Sequence, residues 1–210
     1  MEVSVSILSS SIKASDIVKK LDNTKADYIH VDIMDGIFVK NKTMPWSEMK
    51  NIYKYTDKRL DVHLMVSDPT KYIKNYSSLN TEYITIHSEI PGDVNSYIKL
   101  IKSYNIKAGI AIKPNTNIRD IIPYLPYVDL ILVMSVEPGE GGQEFISSSY
   151  DKVKEIRHLL KEYKLNNIII NIDGGVNNNT KSMCVDCDMV VSGSYIVKSD
   201  NFQNKIDSLR

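Results

Sequence analysis

Tyr28-Ile29-His30-Val31-Asp32-Ile33-Met34-Asp35-Gly36 alternates β-branched residues with a histidine, an aspartate and a methionine, then stops at a glycine. Read as a strand, with a side-chain period of two, it sends His30, Asp32 and Met34 to one face. Similar short runs recur along the chain. Val3–Leu8, Leu60–Met65, Tyr83–Ile86, Lys107–Ile112, Asp129–Val133, Asn167–Ile172 and Met189–Val191 complete a set of eight with Tyr28–Ile33. Helical spacing fills the intervals: Ala14, Ile17, Val18 and Leu21 share a face, as do Val94, Ile98 and Ile101, and Val153, Ile156, Leu160 and Tyr163. Strands that alternate with helices predict a parallel sheet with right-handed crossovers. An open doubly wound sheet is the rival, and the count of eight favours a closed α/β barrel of the TIM (β/α)8 type.

The chain of 210 residues is then expected to be one barrel domain over 1–210, at the small end for that fold. Most connections must be short, so strand ends must carry the chemistry. At 42% hydrophobic and 25% charged residues the composition is that of a globular protein. Basic and acidic residues balance at 26 each, which argues against a nucleic acid partner held by bulk charge. No apolar run reaches the roughly 18 residues of a membrane span. Met1-Glu2-Val3-Ser4 lacks the start of a secretory signal. A soluble, cytoplasmic protein is expected, with no membrane partner and with self-association into a homo-oligomer.

Polar residues gather where the strands end. Asp61-Val62-His63-Leu64-Met65 places His63 and Met65 on one face, and the seventh strand runs Ile172-Asp173-Gly174-Gly175. His30, Asp32, His63 and Asp173 can converge above one barrel mouth as two imidazoles and two carboxylates. That set suits one divalent ion, Zn²⁺ first, with Fe²⁺, Mn²⁺ or Co²⁺ as alternatives. The competing interpretation is four satisfied polar residues in a barrel rim. Glycines form a second cluster: Gly139, Glu140, Gly141 and Gly142 follow strand six, Gly174 and Gly175 strand seven, and Gly193 and Ser194 strand eight. Glycine lets backbone amides approach an anion, and a phosphate site after strands seven and eight recurs in such barrels. Met34, Met65 and Met134 suit the apolar walls of a cavity, or plain core filling.

Taken in order, Ser6–Leu8 (SIL), His30–Gly36 (HVDIMDG), Asp61–Val66 (DVHLMV), Ile84–Glu89 (ITIHSE), Ile112–Thr116 (IKPNT), Val133–Gln143 (VMSVEPGEGGQ), Ile172–Gly175 (IDGG) and Val191–Ile196 (VSGSYI) resemble the ribulose-phosphate 3-epimerase family. The resemblance spans nearly the whole chain. It implies a metal-dependent isomerase of the pentose phosphate pathway that acts on a small ketose phosphate, interconverting D-ribulose 5-phosphate and D-xylulose 5-phosphate at carbon 3. It implies His30, Asp32, His63 and Asp173 as metal ligands, and Asp32 and Asp173 as the acid–base pair. Ser6 and His63 would touch substrate, and Gly139 to Gly142, Gly174, Gly175, Gly193 and Ser194 would surround its phosphate. The chemistry agrees. Moving a proton across carbon 3 wants two acid–base groups on opposite sides of an enediolate, and a Lewis acid for the oxyanion.

The chain departs from the family where Ile37-Phe38-Val39-Lys40-Asn41 replaces the usual continuation with His and a later Pro, and where Glu140 replaces a usual Phe. Glu140 is expected to point away from a bound phosphate, which its charge would repel. Two functions stand beside the pentulose epimerase. One is a 3-epimerase acting on a hexulose phosphate such as allulose 6-phosphate; the other is a barrel that binds a sugar phosphate without turnover. Cys184 and Cys187 form a CxxC pair placed late in its segment, a poor position for a redox centre. Lys113 could in principle form the Schiff base of an aldolase, though a strand-end salt bridge is the plainer role. His87 is either a substrate-facing or supporting residue or a structural one, and His158 is expected to be solvated.

Overall fold

The computed structural model describes residues 1–8 and 13–210. Its strands are β1 (Glu2–Ser6), β2 (Tyr28–Met34), β3 (Arg59–Met65), β4 (Thr81–His87), β5 (Lys107–Ile112), β6 (Leu130–Met134), β7 (Ile169–Asp173) and β8 (Met189–Ser192). They pair in chain order, all parallel, and β8 returns to β1 to close the TIM barrel. Around it lie helices α1 (Ala14–Asp22), α2 (Trp46–Ile52), α3 (Thr70–Tyr76), α4 (Val94–Ser103), α5 (Ser148–Glu162), α6 (Ser194–Val197) and α7 (Phe202–Asp207). Among the described residues no helix is long and apolar enough to cross a membrane.

The period of two along each strand divides the core into two. Outward residues such as Val31, Val62, Ile84 and Ile110 meet Ile17 and Leu21 of α1, Ile98 and Ile101 of α4, and Val153 and Ile156 of α5 in one continuous apolar layer. The inward set is smaller. Tyr28, Tyr83, Leu130 and Met189, one from the first half of each even-numbered strand, belong to a second cluster that runs on to Met134 and Val136, as expected where alternate strands contribute the side chains of one layer. Toward the strand ends the interior turns polar: Ser4, Ser6, His30, Asp32, Asp61, His63, Thr85, His87 and Asn171 are all buried. Enclosing so many polar groups is costly unless each finds a partner, so this end of the barrel is where function is to be sought.

Several sequence expectations shift in detail. β1 stops at Ser6 rather than Leu8, because the Ser6 hydroxyl accepts the Leu8 amide and bends the chain. Tyr163 is 51% exposed instead of sharing the buried face of α5, since it lies one residue past the helix and Lys164, at φ 58°, turns the chain away. Not every crossover is an α-helix. β5 is followed by a 3₁₀ segment, Ile118–Tyr127, in which Pro123 and Pro126 remove two amide donors. After β7 comes only the short 3₁₀ turn Lys181–Cys184.

Candidate active site

Strand register brings the polar residues together. Pairing of β2 with β3 sets His30 beside Asp61 and Asp32 beside His63, and pairing of β1 with β2 sets Ser6 beside His30. His30 is the third residue of β2 and fully buried, so the four sequence-predicted residues converge inside the mouth rather than above it. One donor atom from each of His30, Asp32, His63 and Asp173 lies within 4.8 Å of the others. Nε2 of His30 stands 3.3 Å from Oδ1 of Asp32 and 3.6 Å from Oδ2 of Asp173. Nδ1 of His63 stands 3.3 Å and 3.8 Å from the same two oxygens.

The far side of each ring fixes its protons. Nδ1–H of His30 donates to Oδ2 of Asp61 at 2.8 Å, and that oxygen also accepts the Ser4 hydroxyl at 2.9 Å. Nε2 of His30 is left buried, without a hydrogen-bond partner among the described residues, and aimed at two carboxylates. On the other ring, Nε2 of His63 meets Nε2 of His87 at 2.8 Å, and Nδ1 of His87 meets Oε2 of Glu89 at 3.1 Å. A second hydrogen bond, from the Ser6 hydroxyl, holds Oδ2 of Asp32 at 2.8 Å.

Such a centre attracts positive charge. Burial works against a charged His30, yet the Asp32 and Asp61 carboxylates outweigh it and raise its pKa well above the ordinary imidazole range. Burial would likewise raise Asp32, but the two imidazoles beside it, His30 foremost, hold it well below the usual carboxylate range. Asp173 moves the opposite way: burial, seconded by the charges of Asp32 and Asp61, pushes it up against the pull of both histidines. Environments that drive two neighbouring carboxyls apart are the pattern of an acid–base pair. The donor set also fits a divalent cation. Donors about 2.0–2.1 Å from a tetrahedral ion stand about 3.3–3.4 Å apart, close to the separations found here.

One cavity joins this centre to the glycine turns. Its lining includes Ser6, Asp32, Asp173, Met65 and Met134 together with Gly139, Glu140, Gly141, Gly142, Gly174, Gly175, Gly193 and Ser194. Met34 falls outside that lining and packs with Met65, Phe38 and Val39 instead. Gly174, at φ 124°, has no room for a side chain: a Cβ there would stand 2.6 Å from Val136 Cγ2 and 2.9 Å from its amide nitrogen. Glu140 is exposed and forms no ion pair among the described residues. Its carbonyl and that of Glu137 accept from the Gln143 amide at 2.8 and 2.7 Å, which folds the loop back on itself.

Asp61 and Glu89 escaped the sequence reading. Asp61 shares the inward face of β3 with His63 and Met65, and that period was the available signal. Glu89 follows His87 by two residues, just past the end of β4. Of the residues set aside, Cys184 is buried with its thiol pushed up to about 11 by burial, an inert environment. His158 is exposed. The Lys113 ammonium lies 4.2 Å from the Phe38 ring centre.

A TIM barrel with acidic and imidazole donors converging at the C-terminal ends of its strands is built as an enzyme, because that face carries the active site in this fold. Comparison with known proteins narrows the class. The ribulose-phosphate 3 epimerase family matches residues 2–197, so the chain belongs to that family and is an isomerase. Ribulose-phosphate 3-epimerase of Bacillus subtilis is 33% identical over 213 residues, covering 100% of this chain and 98% of that protein. The Helicobacter pylori enzyme of the same name (strain J99) is 35% identical, with 100% and 97% covered. Among solved structures, KGPDC from Streptococcus mutans superposes with a TM-score of 0.69 at 13% identity, covering 99% of this chain and 94% of that one, a likeness of fold.

Proposed function

We propose that the chain interconverts D-ribulose 5-phosphate and D-xylulose 5-phosphate, with Asp32 and Asp173 moving the proton at carbon 3. The observation that carries this reading is the convergence of these two carboxylates with two imidazole nitrogens within 4.8 Å at one end of the cavity, while glycine turns line the other. His30, Asp32, His63 and Asp173 would hold the divalent ion, which when bound supplies positive charge to the oxygen where negative charge develops. One carboxylate takes the carbon 3 proton from one face of the substrate, leaving a planar enediolate. The carboxyl of the other delivers a proton to the opposite face, which inverts carbon 3. Each turnover moves the free proton from one carboxyl to its partner. Asp173, with 16% of its side chain exposed against 6% for Asp32, is the better placed to restore it by exchange with water. Met65 and Met134 form apolar cavity wall that limits that water, and the turns at Gly139–Gly142, Gly174–Gly175 and Gly193–Ser194 offer backbone to the phosphate.

The test is proton exchange. In D₂O, metal-loaded protein should place deuterium at carbon 3 of ribulose 5-phosphate and produce xylulose 5-phosphate, with one divalent ion per chain in the same sample. No exchange into either pentulose phosphate would sink the proposal. Faster exchange into allulose 6-phosphate would transfer it to a hexulose phosphate.

A further inference from the structure

The two histidines at the centre are supported differently. His30 leans directly on a carboxylate, Asp61, whereas His63 leans on another ring, His87, whose far nitrogen reaches Glu89. The protons along the second chain can be assigned from its outer end. Oε1 of Glu89 already accepts the Lys113 amide at 2.8 Å and the Thr116 hydroxyl, as suits a carboxylate. A carboxylate only accepts, so Nδ1–H of His87 is the donor to it. A neutral His87 then presents a lone pair on Nε2, which only a donor can meet at 2.8 Å, so His63 carries its proton on Nε2. That leaves the lone pair of His63 on Nδ1, the atom that faces Asp32 and Asp173.

Resting on the metal-binding reading above, we infer that His87 and Glu89 are positioning residues, a two-step relay that fixes the tautomer and tilt of His63 so that its Nδ1 can bind the ion. The surroundings hold the relay in place. The His63 and His87 ring centres lie 4.9 Å apart, and the Phe38 ring centre lies 4.8 Å from that of His87. The loop that supplies both donors to Glu89 is itself gripped by the Lys152 ammonium, which donates to the carbonyls of Lys113, Pro114 and Thr116 at 3.1, 2.6 and 2.7 Å.

Zn²⁺ affinity, measured by competition with a chromophoric chelator, tests the relay, with the visible absorption of the Co²⁺-loaded protein as a second readout. His87→Phe keeps a ring but removes the acceptor, and should weaken Zn²⁺ binding about 10–100-fold and shift the Co²⁺ bands. His87→Gln, whose amide oxygen can accept from His63, should recover part of that loss. Glu89→Gln should fall between wild type and His87→Phe. These two milder variants decide the matter if His87→Phe does not fold. A purely structural role would lower the melting temperature of the metal-free protein while leaving Zn²⁺ affinity and Co²⁺ bands as in wild type, and that result overturns the relay. Failure of the wild-type protein to bind one Zn²⁺ would instead overturn the metal reading beneath it, and is visible in the first titration.

Discussion

The two halves of the barrel mouth are made of different material. On the side of β2, β3 and β4 the working groups are buried side chains, His30, Asp32, His63 and His87, each held by a second residue behind it. On the side of β6, β7 and β8 the rim is glycine and backbone, much of it exposed between Glu140 and Gly142. The difference matches the roles proposed for the two halves. Charges that have to meet at one point need rigid placement and low solvent exposure, which strand register and close packing supply. An anion bound by backbone amides needs room for the main chain to approach, which only residues without side chains allow. Asp173 joins the halves: it is the last residue of β7, its carboxylate belongs to the buried cluster, and the next residues are Gly174 and Gly175.

The strongest way to break this division is at the joint and its partner. Asp32→Asn and Asp173→Asn should each lower kcat by about 10²–10⁴-fold, the usual contribution of a positioned acid or base. Metal must be quantified in each variant, since the same residues are proposed ligands. A variant that keeps both its metal and near-normal turnover would remove that aspartate from the proton path and confine it to the metal.

The same contrast decides what could be read from the sequence. His30, Asp32, His63 and Asp173 stood out because each sits at an alternating or terminal position of a recognisable strand, where a polar side chain demands a reason. The eightfold count gave the closed barrel for a similar reason. What lay out of sight depends on register. Asp61 supports His30 only because β2 and β3 align those two residues, and no pattern within a single strand reports that alignment. Glu89 meets His87 through the way the chain leaves β4, and Lys152 reaches its three carbonyls from α5, 36 to 39 residues along the chain. Likewise the 3₁₀ crossover after β5 was written in Pro123 and Pro126, yet its buried Ile118, Ile121 and Leu125 mimic helical spacing.

A smaller effect is expected on the backbone side. Gly174→Ala forces a side chain into a region of φ that L residues avoid, against the Val136 backbone. The strain is on the order of 1–3 kcal/mol. Because the turn lines the cavity and supplies none of the four donors, the loss should appear as a lower melting temperature and a raised KM, with metal content unchanged. Thermal melts, kinetics and metal analysis on one preparation check this. Loss of metal from Gly174→Ala, with substrate affinity intact, would show that the halves are not separable.

The smallest effect concerns Glu140, at the exposed tip of the glycine rim. A carboxylate turned toward a phosphate would repel it; Glu140 is exposed in the cavity lining, and Gln143 ties the carbonyls of Glu137 and Glu140 together. The loop therefore lines the cavity with little apolar area to bury. Glu140→Phe supplies such area, and half-covering the ring is worth about 1 kcal/mol, so KM for the sugar phosphate should fall about fivefold with metal content and kcat little changed. Glu140→Gln removes the charge without adding the ring and separates the two causes. If the charge alone matters, Gln and Phe should lower KM equally; if closure matters, only Phe should. An unchanged or raised KM in Glu140→Phe, with the metal site intact, would move the phosphate away from this loop and leave Gly174, Gly175, Gly193 and Ser194 to hold it.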